Sequence, residues 1–170
     1  MLASNVSIDQ AKPDKLFYFV CTVIPYRASD GRCLILKRDE REKVHPGKWG
    51  VPGGKLEHGD LDLTNPTRMN GDVIDFEGAV ADLLRREAKE EAAIELGDDF
   101  RLLSDIVFVR PDGIPVVMLQ FGGEYTSGEV KPEVGAFTDS AWVNAAEVQE
   151  YDCIDGIEGE VARTIALFAS

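Results

Sequence analysis

The sequence has no long apolar run, and none approaches the roughly eighteen residues that a membrane-spanning helix needs. Its start, MLASNVSIDQAKPDK, contains no basic segment followed by an apolar one, which argues against a secretory signal. We expect residues 1–14 to form a mobile tail and residues 15–170 to form a single domain. These absences favour a cytoplasmic protein that does not act at a membrane.

Cysteine and histidine are scarce, with three and two residues in a chain of 170. Cys21, Cys33 and Cys153 are odd in number and widely spaced, without a neighbouring histidine. This pattern fits neither a disulfide framework nor a zinc site. We expect thiols in or near the core, kept reduced in the cytoplasm.

Positive charge is also in short supply, because the formal net charge is −13. Such an excess of carboxylates argues against binding a nucleic acid polymer. A small phosphate ligand remains compatible with it, provided that divalent cations screen the ligand from the acidic surface.

The remaining pattern mixes strands and helices without strict alternation, which favours an α+β fold with a mixed sheet between helices. Aromatic and β-branched runs predict the strands, helical periodicity predicts the helices, and the polar segment 59–75 reads as a long loop. The predicted strands cover residues 16–26, 33–38, 101–110, 114–125 and 140–144, and the predicted helices cover residues 76–96, 145–151 and 156–170.

The segment RREAKEE, residues 85–91, is the most informative stretch. On a helical wheel, Glu87, Glu90 and Glu91 fall within the stripe of the apolar residues, whereas Arg85 and Lys89 point away. Inward carboxylates lose hydration and repel one another, so a positive group must lie among them. A salt-bridged surface helix is the ordinary alternative for such a cluster of charges.

Arg86, four residues before Glu90, can neutralise one carboxylate, and the others then need a cation from solution. Oxygen ligands without histidine or cysteine select a hard ion, so we expect Mg²⁺ or Mn²⁺. Upstream, PGGKLE places two adjacent glycines where backbone groups can approach a ligand closely.

Together these residues resemble the Nudix hydrolase signature, G-x5-E-x7-R-E-U-x-E-E-x-G-U, in which U is a bulky aliphatic residue. Gly54 starts the pattern, and its later positions are matched by Arg86, Glu87, Glu90, Glu91 and Ile94. The chain departs from the family in three ways. Asp60 replaces a glutamate, Ala93 replaces the closing glycine, and 25 residues separate Asp60 from Arg86 where the family has 7. The insertion covers about residues 61–77 and is either a mobile lid or surface decoration. Without the glycine, we expect the helix to continue to Gly97.

The resemblance to this MutT-like family implies an α/β/α sandwich and assigns roles to individual residues. The carbonyl of Gly53 with Glu87, Glu90 and Glu91 would bind Mg²⁺, for which Mn²⁺ is a substitute. Arg86 would position a glutamate. Glu133, or alternatively Asp139, would bind metal or act as the base, so the expected catalytic residues are Glu90, Arg86 and Glu133.

Substrate contacts are a further expectation. Arg38 and Lys55 could reach phosphates, and Trp49 could stack on a base, as could Phe17 or Tyr18; strand-end and core roles are the alternatives.

The resemblance implies hydrolysis of a nucleoside diphosphate linked to another group. The compact chain favours a nucleoside triphosphate, cleaved to a monophosphate and pyrophosphate. ADP-ribose or another sugar nucleotide is the alternative substrate, and a non-catalytic nucleotide sensor is the alternative class of protein. The expected partner is a small nucleotide, and a homodimer is compatible with the sequence.

Overall fold

The structure is a computed structural model that describes residues 2–170. Its main sheet has seven strands in the order β3-β2-β1-β8-β7, with β4 paired to β1 and β9 paired to β2. The strands of this sheet are β1 (Tyr18–Arg27), β2 (Arg32–Arg38), β3 (Trp49–Gly50), β4 (Gly53–Lys55), β7 (Glu95–Val109), β8 (Pro115–Ser127) and β9 (Phe137–Val143). β1 and β8 run parallel and the other pairs run antiparallel, so the sheet is mixed.

Two helices cover the two faces of this sheet, α1 (Ala79–Ala92) and α2 (Ile157–Phe168). Side chains of β1 alternate between the faces. Cys21 and Val23 pack in a cluster with Leu84 of α1, whereas Ile24 and Tyr26 pack in a second cluster that contains residues of α2. The predicted α+β sandwich is therefore confirmed.

The insertion is more ordered than the long loop predicted for residues 59–75. It contains a short hairpin of two strands, β5 (Arg68–Asn70) and β6 (Val73–Asp75), and Arg68 is ion-paired with Asp75 at 2.8 Å. The strands are too short for period-two alternation to reveal them; β5 is exposed and β6 is partly exposed.

Helix α1 is shorter than the predicted range 76–96. It begins after Gly78, which has a φ of 83°, and the expected continuation to Gly97 is wrong because Ala93 ends the helix. Ala93 adopts a left-handed conformation, with a φ of 57° and a ψ of 30°. Its amide donates to the carbonyls of Ala88 and Lys89, as the residue after a helix commonly does. The next strand, β7, then begins at Glu95.

We expect Ala93→Gly to stabilise the protein by about 0.5–1 kcal/mol. Glycine removes the steric penalty of the left-handed conformation, which is roughly 1–2 kcal/mol. Part of this gain is lost because glycine also increases the conformational freedom of the unfolded chain. Urea unfolding measures the change. As the control, Ala81→Gly inside α1 is expected to lower the free energy of unfolding by about 0.5–1 kcal/mol. Equal changes at both positions would contradict the strain at Ala93.

Near the end of the chain, the structure differs from the predicted helices in one respect. Residues Glu147–Glu150 form a short 3₁₀ helix rather than the predicted α-helix over 145–151. The Asn144 side chain accepts the amides of Ala146 and Glu147, which fixes a tight turn instead of a longer helix. α2 follows within the predicted range 156–170.

The three cysteines are buried and free, as predicted. Burial raises the pKa of the Cys33 thiol to about 12, so this thiol is inert at neutral pH. No helix within residues 2–170 is long and apolar enough to cross a membrane. Met1 of the predicted tail lies outside the described residues, and the tail 1–14, the domain limits 15–170, the homodimer and the cytoplasmic location stay predictions.

Candidate active site

Two adjacent glycines bring β4 against helix α1. The amide of Gly53 donates to the Glu91 carboxylate at 2.9 Å. A Cβ atom on Gly54 would overlap the carboxylate of Glu87, and one on Gly53 would lie 2.5 Å from the carbonyl oxygen of Cys21. Both positions therefore require glycine, one for the packing of the sheet and the other for the acidic side chain.

Glu87 and Glu91 are the inward carboxylates of this site. Burial raises the pKa of Glu87, and the charge of Arg86 partly offsets this effect. Burial also raises the pKa of Glu91, to about 8, against the lowering effect of the hydrogen bond from Gly53, while the charges of Glu87 and Glu133 raise it further. A buried and a partly buried carboxylate near a third disfavour the ionised state, which makes the site receptive to positive charge.

Arg86 is the positive group among these carboxylates. Its Nη1 atom lies 2.9 Å from Glu87 and 3.3 Å from Glu90, and its Nη2 atom lies 3.4 Å from Asp60. The predicted contact between Arg86 and Glu90 is confirmed. Asp60, despite its shorter side chain, still reaches this guanidinium.

Glu90 differs from the other two glutamates because 56% of its side chain is exposed. On the helical wheel, Glu90 lies at the edge of the apolar stripe. An edge position that no neighbouring element covers leaves a side chain in water, so Glu90 is available to a ligand that enters from solution.

Glu133 lies at the C-terminal end of α1. Its amide donates to the carbonyl of Glu91 at 2.9 Å, and the amide of Lys131 donates to that of Ala92 at 3.0 Å. These bonds satisfy carbonyls that a helix end leaves unpaired. The charge of Glu133 acts on both Glu87 and Glu91, which places its carboxylate near the site. Asp139, the alternative metal ligand or base, accepts a hydrogen bond from the amide of Ser140.

The three predicted substrate-binding residues have different positions. Arg38 lies close enough to lower the pKa of Glu91, while its guanidinium also bonds Glu42 and the carbonyl of Val44. Lys55 directly follows the glycine pair and is exposed. Trp49 packs edge-on against Tyr151, with ring centroids 4.8 Å apart, in the cluster beneath α2. The structure does not bring Trp49 to the carboxylates.

A divalent cation fits the chemistry of these donors, which are all oxygen atoms with a surplus of negative charge. Within residues 2–170, no three acidic, histidine or cysteine side chains are already gathered into a metal-binding cage. Arg86 instead neutralises Glu87 and Glu90. A cation bound there would compete with Arg86 for these carboxylates, and the exposed side chains of Glu90 and Glu133 can rotate within nanoseconds.

We expect Gly54→Ala to lower kcat by about 10²-fold, the scale of losing one preorganised polar group, because the new methyl group displaces the Glu87 carboxylate. The overlap involves the end of a side chain rather than backbone, so the unfolding free energy should change little. Gly53→Ala is the contrasting variant. Its methyl group meets the backbone of β1, and we expect a loss of about 1–3 kcal/mol in unfolding free energy. Full activity of Gly54→Ala would contradict this geometry.

The NUDIX domain family model matches residues 18–163. The chain therefore belongs to the Nudix family, whose members are hydrolases that use divalent metal ions and act on small nucleotide substrates.

Among individual proteins, the chain is similar to the nucleoside triphosphatase NudI of Escherichia coli (strain K12). The two are 27% identical over 140 residues, which cover 76% of this chain and 85% of that relative. The fold resembles the MutT protein from Methanosarcina mazei Go1, with a TM-score of 0.61, 19% identity, and coverage of 94% of this chain and 100% of the other. It also resembles the NUDIX domain of Shewanella oneidensis NrtR, solved in complex with ADP ribose, with a TM-score of 0.62, 14% identity and 94% of each chain covered.

Proposed function

We propose that this Nudix hydrolase cleaves a nucleoside triphosphate to a nucleoside monophosphate and pyrophosphate, with Mg²⁺ as the cofactor and Mn²⁺ as a substitute. The observation that carries the proposal is the pair of inward carboxylates, the buried Glu87 and the partly buried Glu91, held behind the Gly53–Gly54 bend. The similarity to NudI, a nucleoside triphosphatase, supports this class of substrate.

The residues that would hold the cation are the carbonyl of Gly53 and the side chains of Glu87, Glu90 and Glu91. Bound there, a divalent cation supplies charge neutralisation for the phosphate oxygens and strengthens water as a nucleophile. The acidic protein can then accept an acidic substrate.

Other residues would orient the glutamates, accept the proton of the attacking water and contact the phosphates. Arg86 holds Glu87 and Glu90 through its contacts of 2.9 and 3.3 Å, and Asp60 anchors the other end of the guanidinium. Glu133 is exposed beside the carboxylates, so it can accept the proton from the attacking water. Arg38 carries positive charge close to Glu91 and is suited to a phosphate oxygen.

A panel of ribonucleoside and deoxyribonucleoside triphosphates, with ADP-ribose alongside, tests the proposal. Each substrate is incubated with Mg²⁺, with Mn²⁺ or with a chelator, and monophosphate, pyrophosphate and orthophosphate are quantified separately. We expect monophosphate and pyrophosphate in equal amounts from triphosphates, and turnover below about one hundredth of that rate without a cation, because the carboxylates then repel the substrate.

Three results would overturn this reading. Cleavage of ADP-ribose without cleavage of triphosphates would establish a sugar-nucleotide pyrophosphatase. Tight binding without turnover across the panel would establish a sensor. Release of orthophosphate instead of pyrophosphate would show attack at the terminal phosphorus.

A further inference from the structure

Two buried side-chain oxygen atoms have no hydrogen-bond partner among residues 2–170. They are the Oγ1 atom of Thr22, in β1, and the Oε2 atom of Glu160, in α2. Leaving a buried polar atom unpaired is costly, and in native proteins such atoms are commonly bonded to an internal water molecule. The two atoms therefore point to a ligand between the strand and the helix, provided that they face the same space.

The side chain of Thr22 points towards α2. Side chains alternate along β1, and Ile24, two residues further on, packs in the cluster that contains residues of α2. Thr22 is the Cα partner of Gln120 in the parallel pairing of β1 with β8. The buried side chain of Gln120 consequently lies beside that of Thr22 on the same face of the sheet.

Helix α2 places Glu160 over this pair of residues. The side chain of Gln120 makes a hydrogen bond with the Glu160 carboxylate. One helical turn later, Thr164 lies over Gly122, because a Cβ atom on Gly122 would be 3.0 Å from its Cγ2 atom. Four helical residues span about 6 Å and two strand residues about 6.6 Å, so the helix follows β8 at this level. The Thr22 hydroxyl and the Glu160 carboxylate thus face the same space beside Gln120.

The direct hydrogen bonds of this cluster leave the two oxygen atoms unpaired. The Ser104 hydroxyl donates to Oε1 of Gln120 at 2.5 Å, so the amide nitrogen of Gln120 is the atom that faces Glu160. Arg163, whose charge acts on Glu160, donates to a backbone carbonyl of β7 at 3.4 Å. Neither residue reaches the hydroxyl of Thr22 or the Oε2 atom of Glu160.

The chemistry of these groups selects the ligand. A hydroxyl group both donates and accepts, and a carboxyl group accepts when it is ionised and donates when it is protonated. A water molecule matches each of these states, because it can donate two hydrogen bonds and accept two. A metal cation needs several oxygen ligands, whereas Gln120 turns its amide nitrogen, a donor, towards the same space.

We propose that one internal water molecule binds between β1 and α2 and bridges the Thr22 hydroxyl to the Oε2 atom of Glu160. The amide nitrogen of Gln120 supplies a third partner, and about three hydrogen bonds are typical of a buried water molecule. The bridge fixes the last helix on the sheet. It is independent of the proposed hydrolysis, because it lies on the face of the sheet opposite α1.

A high-resolution crystal structure of the full chain tests the site directly. We expect a density peak at about 2.7–3.2 Å from both orphan oxygen atoms. In solution, relaxation dispersion of the water signal counts long-lived internal water molecules, and Thr22→Val should hold one fewer than the wild type.

The sign of the stability change in Thr22→Val is the second test. This variant keeps the branched shape of the side chain and removes the hydroxyl. We expect its melting temperature to fall by about 2–4 °C, because the bridging water molecule loses a partner. An unpaired hydroxyl predicts the opposite sign, since its removal would abolish the cost of burying it.

Thr138→Val is the matched control, because Thr138 is an exposed residue of β9. It measures the effect of exchanging threonine for valine in a strand, and we expect little change in melting temperature there.

The possible outcomes are distinct. A wild-type density peak that is absent from Thr22→Val, together with a lower melting temperature, would uphold the bridge. An empty site in the wild type would overturn it, and so would a higher melting temperature of Thr22→Val relative to the control. Anomalous scattering at the site after a soak in rubidium chloride would identify a monovalent cation and overturn water as the ligand. The wild-type density decides the question even if Thr22→Val does not fold.

Discussion

Replacing Glu90 with glutamine is expected to lower kcat by about 10²–10³-fold, the scale of removing one preorganised charge from an active site. The change keeps the shape of the side chain and removes only its negative charge. Because 56% of this side chain is exposed, no buried packing is lost, and the melting temperature without cation should stay within about 2 °C of the wild type. Steady-state kinetics with Mg²⁺ and a thermal melt measure the two quantities.

Glu95→Gln is the matched control for this variant. Glu95 has a similarly exposed side chain, at 49%, and is paired with Lys89 on the far side of α1. We expect its kcat to match the wild type. Added Mg²⁺ should raise the melting temperature of the wild type and of Glu95→Gln more than that of Glu90→Gln, since a ligand stabilises the folded state it binds. A Glu90→Gln enzyme with wild-type kcat would remove Glu90 from the reaction.

The helical period explains why much of the site could be predicted from the sequence. Side chains three and four positions apart share a helix face, so Arg86, Glu87, Glu90 and Glu91 had to be neighbours once the helix existed. The depth of each side chain depends on which element packs over that face. This is tertiary information, and for that reason Glu91, beside Gly53, is partly buried whereas Glu90 is exposed, although both lie near the same stripe.

The errors in the fold have local physical causes. Alanine is the strongest helix former, so propensity continues the helix through Ala93, whereas the pairing of β7 with β8 from Glu95 onward turns the chain there. β7 also begins with ELGDDF, a polar segment that lacks strand alternation. The prediction that Trp49 contacts a nucleotide depends only on its position before the glycine pair. Its packing against Tyr151 could not be predicted, because that residue is about a hundred positions away in the sequence.

Glu160 is a further inward carboxylate, outside the site, and it too lies on the apolar stripe of a helix. Along α2, the buried residues Ile157, Glu160, Val161 and Thr164 follow helical spacing. Glu160 is 3% exposed, and its Oε2 atom has no hydrogen-bond partner among residues 2–170. The helical spacing that indicates an inward Glu87 therefore also indicates an inward Glu160.

Burial raises the pKa of Glu160 to about 7, while Arg163 and a hydrogen bond with Gln120 partly offset the rise. The pKa in the folded state thus lies above the ordinary value of 4.5, so folding favours the protonated acid. The stability associated with this proton is fully present below about pH 4.5 and is lost as the pH rises to about 7. Above that pH, the buried charge lowers the free energy of unfolding by about 3 kcal/mol.

Glu160→Gln is therefore expected to stabilise the protein by about 3 kcal/mol at pH 8 and to match the wild type at pH 4.5, because the amide resembles the protonated acid. Urea unfolding across this range, without added cation, measures the difference between the two proteins. Subtracting the wild-type curve removes the contribution of other groups that titrate in the same range, such as Glu91. Glu158→Gln, in the same helix but partly exposed, should keep the pH profile of the wild type. A constant offset between Glu160→Gln and the wild type at every pH would show that shape or packing, and not a buried charge, distinguishes them.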